Sequence, residues 1–93
     1  MDITKQNINF YIDHTCVKAD ATTQDIGKLC EEAKQYGFHS VCVTPVKVEA
    51  AKAYLENAEI ELISVIGFPF GISTTEVKVA EAKKAVEDGA TEI

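Results

Sequence analysis

The chain has no arginine and no tryptophan, only two prolines, and three cysteines with no C-x-x-C pair among them. All of its basic residues are lysines, scattered along the sequence, and the formal charge is −6. Nucleic acid and anionic membranes are therefore not expected partners, since a protein of this sign repels polyanions overall. A small phosphorylated metabolite stays possible, because a few backbone N–H groups can hold a phosphate inside an acidic protein. An odd set of cysteines without paired spacing argues against a disulfide or zinc framework and fits a reduced, cytoplasmic setting. No apolar run is long enough to span a membrane, and MDITKQNINF lacks the basic-then-apolar layout of a signal peptide.

What is present is the composition of a globular chain, 46% hydrophobic and 26% charged, in 93 residues. That length allows one domain at most, near the lower limit for an independent core. Three short runs read as strands: FYIDH (Phe10–His14), SVCVT (Ser40–Thr44) and ELISVIG (Glu61–Gly67). Between them lie helical patterns. Ile26, Leu29, Cys30 and Ala33 repeat at helical spacing, with Thr22 as the cap before them and Gly37 as the stop. Thr44-Pro45 opens a second helix with Val48, Ala51 and Leu55 as its buried stripe. Ser73-x-x-Glu76 has the form of a capping box for a third, carrying Val79, Ala82 and Val86 and ending at Gly89. A shorter helix is expected over Thr4–Asn9. Strand and helix alternating at this spacing imply crossover units and a parallel sheet.

The last residues repeat an earlier layout. KAVEDGATEI (Lys84–Ile93) matches EAKQYGFHSVCV (Glu32–Val43), with Gly89 on Gly37 and Ile93 on Val41. Because Val41 is the second residue of a strand, Ile93 is expected at the start of a fourth.

In parallel α/β sheets, sites form at the carboxyl ends of the strands. Asp13 is a carboxylate in an otherwise apolar run, sharing a strand face with Tyr11 and Thr15. It reads either as a functional acid or as a cap on the amides of the next loop. Cys42 shares a face with Ser40 and Thr44, which makes it a pocket-lining thiol with no basic neighbour to activate it. His14 and His39 have no metal-site spacing and are expected to pack or bond loops. GFPFG (Gly67–Gly71) lacks the GK[ST] of a phosphate loop and is expected to be a bend seating two phenylalanines, one beneath the loop and one near the pocket.

Taken in order, YIDHT with KADAT, DI-x-x-LC-x-EA, YGF-x-SVCV-x-P, VIGFP-x-G, E-x-K-x-x-EA-x-x-AV and DGA-x-EI resemble deoxyribose-phosphate aldolase from Tyr11 to Ile93. The resemblance implies the N-terminal part of a TIM (β/α)8 barrel, residues 1–93 forming about three βα units and the start of a fourth strand. It implies reversible cleavage of 2-deoxy-D-ribose 5-phosphate to glyceraldehyde 3-phosphate and acetaldehyde through a lysine Schiff base, with no metal or other cofactor. By the resemblance Asp13 lies in the catalytic polar network, and Thr15, Cys42, Val65 and Phe68 shape the aldehyde pocket. The Schiff-base lysine, its partner lysine and the phosphate-binding loops belong to later strands, so no lysine here takes that role and no activity is expected of the chain alone. Two alternatives accompany this reading. One is a self-associating interaction module, pairing through its exposed sheet edge or by swapping; the other is an open flavodoxin-like layout.

Overall fold

The computed structural model describes residues 2–93. Its elements are β1 (Asp13–Cys16), α1 (Thr23–Tyr36), β2 (Ser40–Val43), α2 (Val48–Tyr54), β3 (Glu61–Ser64) and α3 (Thr75–Asp88). Short 3-10 turns occupy Ile8–Tyr11 and Pro45–Lys47.

The strands form one parallel sheet in the order β1-β2-β3. That order excludes the flavodoxin layout, in which the first strand lies between the second and third. Asp13, Ser40 and Glu61 stand side by side in register, as do Thr15, Cys42 and Ile63 two residues further along. Beyond β3, Glu92 pairs with Ile63 in the parallel sense: the Glu92 amide donates to Leu62 O, and the Ser64 amide donates to Glu92 O. His39, in the turn before β2, reaches Glu92 with its Nε2 3.3 Å from the carboxylate.

The helices cover one face of the sheet. Ile26, Leu29, Cys30 and Ala33 of α1 join Val41 and Val43 of β2, Leu62 of β3, and Val48, Ala51 and Leu55 in one buried cluster. Each large aliphatic side chain removed from water there contributes about 1.5–3 kcal/mol. Thr22 caps α1 as expected, its hydroxyl accepting from the Asp25 amide at 3.1 Å while Asp25 accepts from the Thr22 amide at 2.8 Å. These bonds hold the Asp25 carboxyl below the ordinary aspartate range. Gly37 closes the helix at φ 66°, where a side chain would be strained. Gly27 sits inside α1 for another reason: a Cβ there would lie 2.7 Å from Cζ of Tyr54.

Three expectations are corrected. The first strand begins at Asp13, not Phe10, because Asn9 is drawn away to cap α1: its Nδ2 donates to Tyr36 O at 2.8 Å, which holds Ile8–Tyr11 in a 3-10 turn. Ladder bonding starts only where the Ser40 amide meets Ile12 O. That same turn replaces the helix expected over Thr4–Asn9. Helix α3 is capped by Thr74 rather than Ser73, the Thr74 hydroxyl accepting from the Val77 amide at 3.4 Å.

Candidate active site

With α1, α2 and α3 on one side, no helix among the described residues covers the other face of the sheet, which carries every second strand residue. Its first row is Asp13, Ser40 and Glu61; its second is Thr15, Cys42 and Ile63. Asp13 is exposed, and its Oδ1 accepts a 2.7 Å hydrogen bond from Oγ of Ser40, a residue with no exposed surface of its own. The partner of Asp13 is thus a hydroxyl on the neighbouring strand, not a run of loop amides. Thr15 donates from Oγ1 to Asp13 O at 2.8 Å.

Cys42 is half-buried beside Thr15, while Val41 and Val43 point under the helices, as the alternation predicts. Burial pushes the Cys42 thiol up, and Asp13 adds to this, while a hydrogen bond with Thr15 opposes both. Cys42 is therefore a poor nucleophile. Cys30, buried between α1 and α2, is pushed up to about 11 by the same desolvation. The histidines hold local structure: His14 Nε2 lies 3.0 Å from Oε1 of Glu32, with its ring 5.1 Å from that of Phe38.

At the carboxyl ends of β2 and β3 a groove of about 400 Å³ opens between Thr44, Pro45, Val65, Phe68, Phe70 and Val77. Val65 and Phe68 are thus brought together, and Thr15 with Cys42, but the groove does not reach Asp13, which lies at the amino end of β1. The phenylalanines of GFPFG depart from expectation. Neither is beneath the loop; Phe68 is 53% and Phe70 78% exposed. A larger hollow of about 520 Å³ lies at the opposite end of the sheet, between Lys52, Leu55, Ala58, Ile60 and Thr91, and contains none of these residues. Because parallel sheets place their sites at the carboxyl strand ends, the groove rather than the larger hollow is the candidate.

Ser40 and Ile63 were not singled out by the sequence. The signal for Ser40 was a hydroxyl opening an apolar run, and that for Ile63 was its parity with Val65, the residue just past β3. Among the described residues no group of three His, Cys, Asp or Glu side chains forms a metal cluster, and no helix is long and apolar enough to cross a membrane.

No protein-family model matches the chain. Among curated proteins it is 57% identical, over 95 aligned positions, to the deoxyribose-phosphate aldolase of Thermococcus gammatolerans, covering 100% of this chain and 40% of that protein. It is 55% identical to the aldolase of Thermococcus kodakarensis, covering 98% of this chain and 42% of the relative. The chain belongs to the deoxyribose-phosphate aldolase family. It spans about two fifths of the length of these aldolases. The deoxyribose phosphate aldolase of Aeropyrum pernix, described as a unique tetramer, superposes with a TM-score of 0.87 at 38% identity, over 95% of this chain and 38% of that one. A candidate deoxyribose-phosphate aldolase of Coccidioides immitis gives 0.90 at 45% identity, over 92% and 34%. The sheet and its helices are accordingly consecutive βα units of the TIM-barrel aldolases.

Proposed function

We propose that residues 1–93 supply the first three βα units and the start of the fourth strand of a cytoplasmic deoxyribose-phosphate aldolase, and that they do not catalyse the reaction unaided. The reaction is reversible cleavage of 2-deoxy-D-ribose 5-phosphate to glyceraldehyde 3-phosphate and acetaldehyde by a lysine Schiff base, without a metal or other cofactor. Cleavage next to a protonated imine leaves a neutral enamine in place of a carbanion, so the nucleophilic lysine must face the pocket. The observation that carries the proposal is the composition of the open strand face. It presents Asp13, Thr15 and Cys42, whereas all the lysines lie on helices, turns and loops. In this reading Asp13, oriented by Ser40, belongs to the proton-relaying polar network. Thr15, Cys42, Val65 and Phe68 shape the wall around the aldehyde, and the catalytic lysine and phosphate loops come from outside residues 1–93.

Borohydride reduction in the presence of deoxyribose 5-phosphate, followed by intact-mass measurement, tests this. The expected spectrum is that of the unmodified chain. A reduced adduct on any lysine sinks the claim that the chain lacks the chemistry.

A second reading concerns partners. Among the described residues one edge of β1 has no neighbouring strand and α3 leaves Val79 and Val86 exposed, giving both a free ladder and an uncovered apolar stripe. Self-association into a homo-oligomer is the proposed consequence, with no role for nucleic acid or membrane. Light scattering over a concentration series is expected to show rising mass; a monomer at every concentration argues against it.

A further inference from the structure

The motif E-x-K-x-x-E, Glu76 to Glu81, has no part in the chemistry above, yet two of its side chains converge on the loop that follows β3. Residues three apart on a helix share a face. On α3 that face presents Lys78 and Glu81 to the two ends of the 67–71 loop. The Gly67 amide donates to Glu81 Oε1 at 2.7 Å, and Lys78 Nζ donates to Gly71 O at 3.0 Å. Between these anchors the Gly71 amide donates to Gly67 O, which closes the loop on itself. Both glycines have positive φ, 64° and 65°, and a Cβ on Gly67 would lie 3.2 Å from Lys78 Cδ. The carboxylate meets an N–H and the ammonium meets a carbonyl, so both contacts are charge-assisted.

We propose that Lys78 and Glu81 are positioning residues that clamp the 67–71 loop and so set the placement of Phe68 in the pocket wall. The need for a clamp follows from exposure. Phe68 and Phe70 have more than half their surface in water, so core packing cannot fix them and the loop backbone must. The loop and Glu81 line the same groove as Val65, Thr44 and Val77, so a shift of the loop changes the room available to an aldehyde. What the clamp serves rests on the aldolase reading; its existence does not, and the test needs no substrate.

The test is amide hydrogen exchange by NMR on the full chain and its variants. In Glu81→Ala the Gly67 amide is expected to exchange roughly tenfold faster or more, the loss of one charge-assisted hydrogen bond. The Gly37 amide, bonded to Ala33 O at the far end of α1, is expected to stay within about threefold of the parent. Glu81→Gln keeps an oxygen acceptor and is expected to restore most of the protection at Gly67. Lys78→Met keeps the apolar stem without the ammonium and is expected to loosen Gly71. An unchanged Gly67 rate in Glu81→Ala overturns the clamp. Equal acceleration at Gly67 and Gly37 also overturns it, by making Glu81 a residue of general stability.

Discussion

Ile26→Ala is expected to cost about 2–5 kcal/mol of unfolding free energy, the range for removing most of a large aliphatic side chain from a packed site. Ile26 is fully buried in the cluster that joins α1 to the sheet and α2. Its loss leaves a cavity that helices anchored on both sides cannot collapse to fill. A domain of this size has total stability of about 5–14 kcal/mol, so the change removes a large share of it. Urea denaturation followed by circular dichroism should show a much lower midpoint with an unchanged slope. A loss under about 1 kcal/mol would place Ile26 in a loosely packed region and contradict the core described here.

Ala85→Asp is expected to release α3 while leaving the rest of the sheet covered. Ala85 is the single buried residue of α3, whereas α1 buries five. Its site has no room for a longer side chain and no solvent for a carboxylate. Burying such a charge without a partner costs several kcal/mol, more than the docking of one thinly buried helix returns. Hydrogen exchange should therefore show α3 amides losing protection by tenfold or more, with those of α1 and β2 retained. Val86→Glu, one residue along and 58% exposed, should stay within about 0.5 kcal/mol. Equal protection of α3 in the Ala85→Asp chain would show that its attachment rests on something other than this residue.

These two sites also show where sequence reading succeeds and where it stops. The helical spacing of Ile26, Leu29, Cys30 and Ala33 reports a buried stripe because both sheet and neighbouring helix are present to cover it. The equally regular Val79, Ala82 and Val86 predict a stripe of the same kind, and the regularity is real, but no covering element lies among the described residues. Periodicity reports the face a residue occupies, not what lies opposite. Cys42 was legible in this way, its parity against Val41 and Val43 placing it on the open side. Asp13 was legible as an unusual acid but not in its placement. Phe10 and Tyr11 have high strand propensity, but they lie in a 3-10 turn held by local backbone bonds and by the distant contacts of Asn9 with Tyr36 O and Gly37 O. Ser40 lies 27 residues from Asp13, so the hydrogen bond that orients the acid exists only once β1 and β2 are in register. The exposure of Phe68 and Phe70 was missed because aromatic content suggests burial, whereas the loop is held by polar bonds from α3.

The pairing of Glu92 with β3 has a consequence for how the chain comes into being. Each strand in the sheet finds its partner in the one made just before it, across spans such as the 27 residues from Asp13 to Ser40 and the 29 from Leu62 to Thr91. Among the described residues no pairing skips over an intervening strand. A nascent polypeptide of this topology can therefore settle each βα unit onto the previous one as it leaves the ribosome, with the growing sheet edge serving as the template for the next arrival.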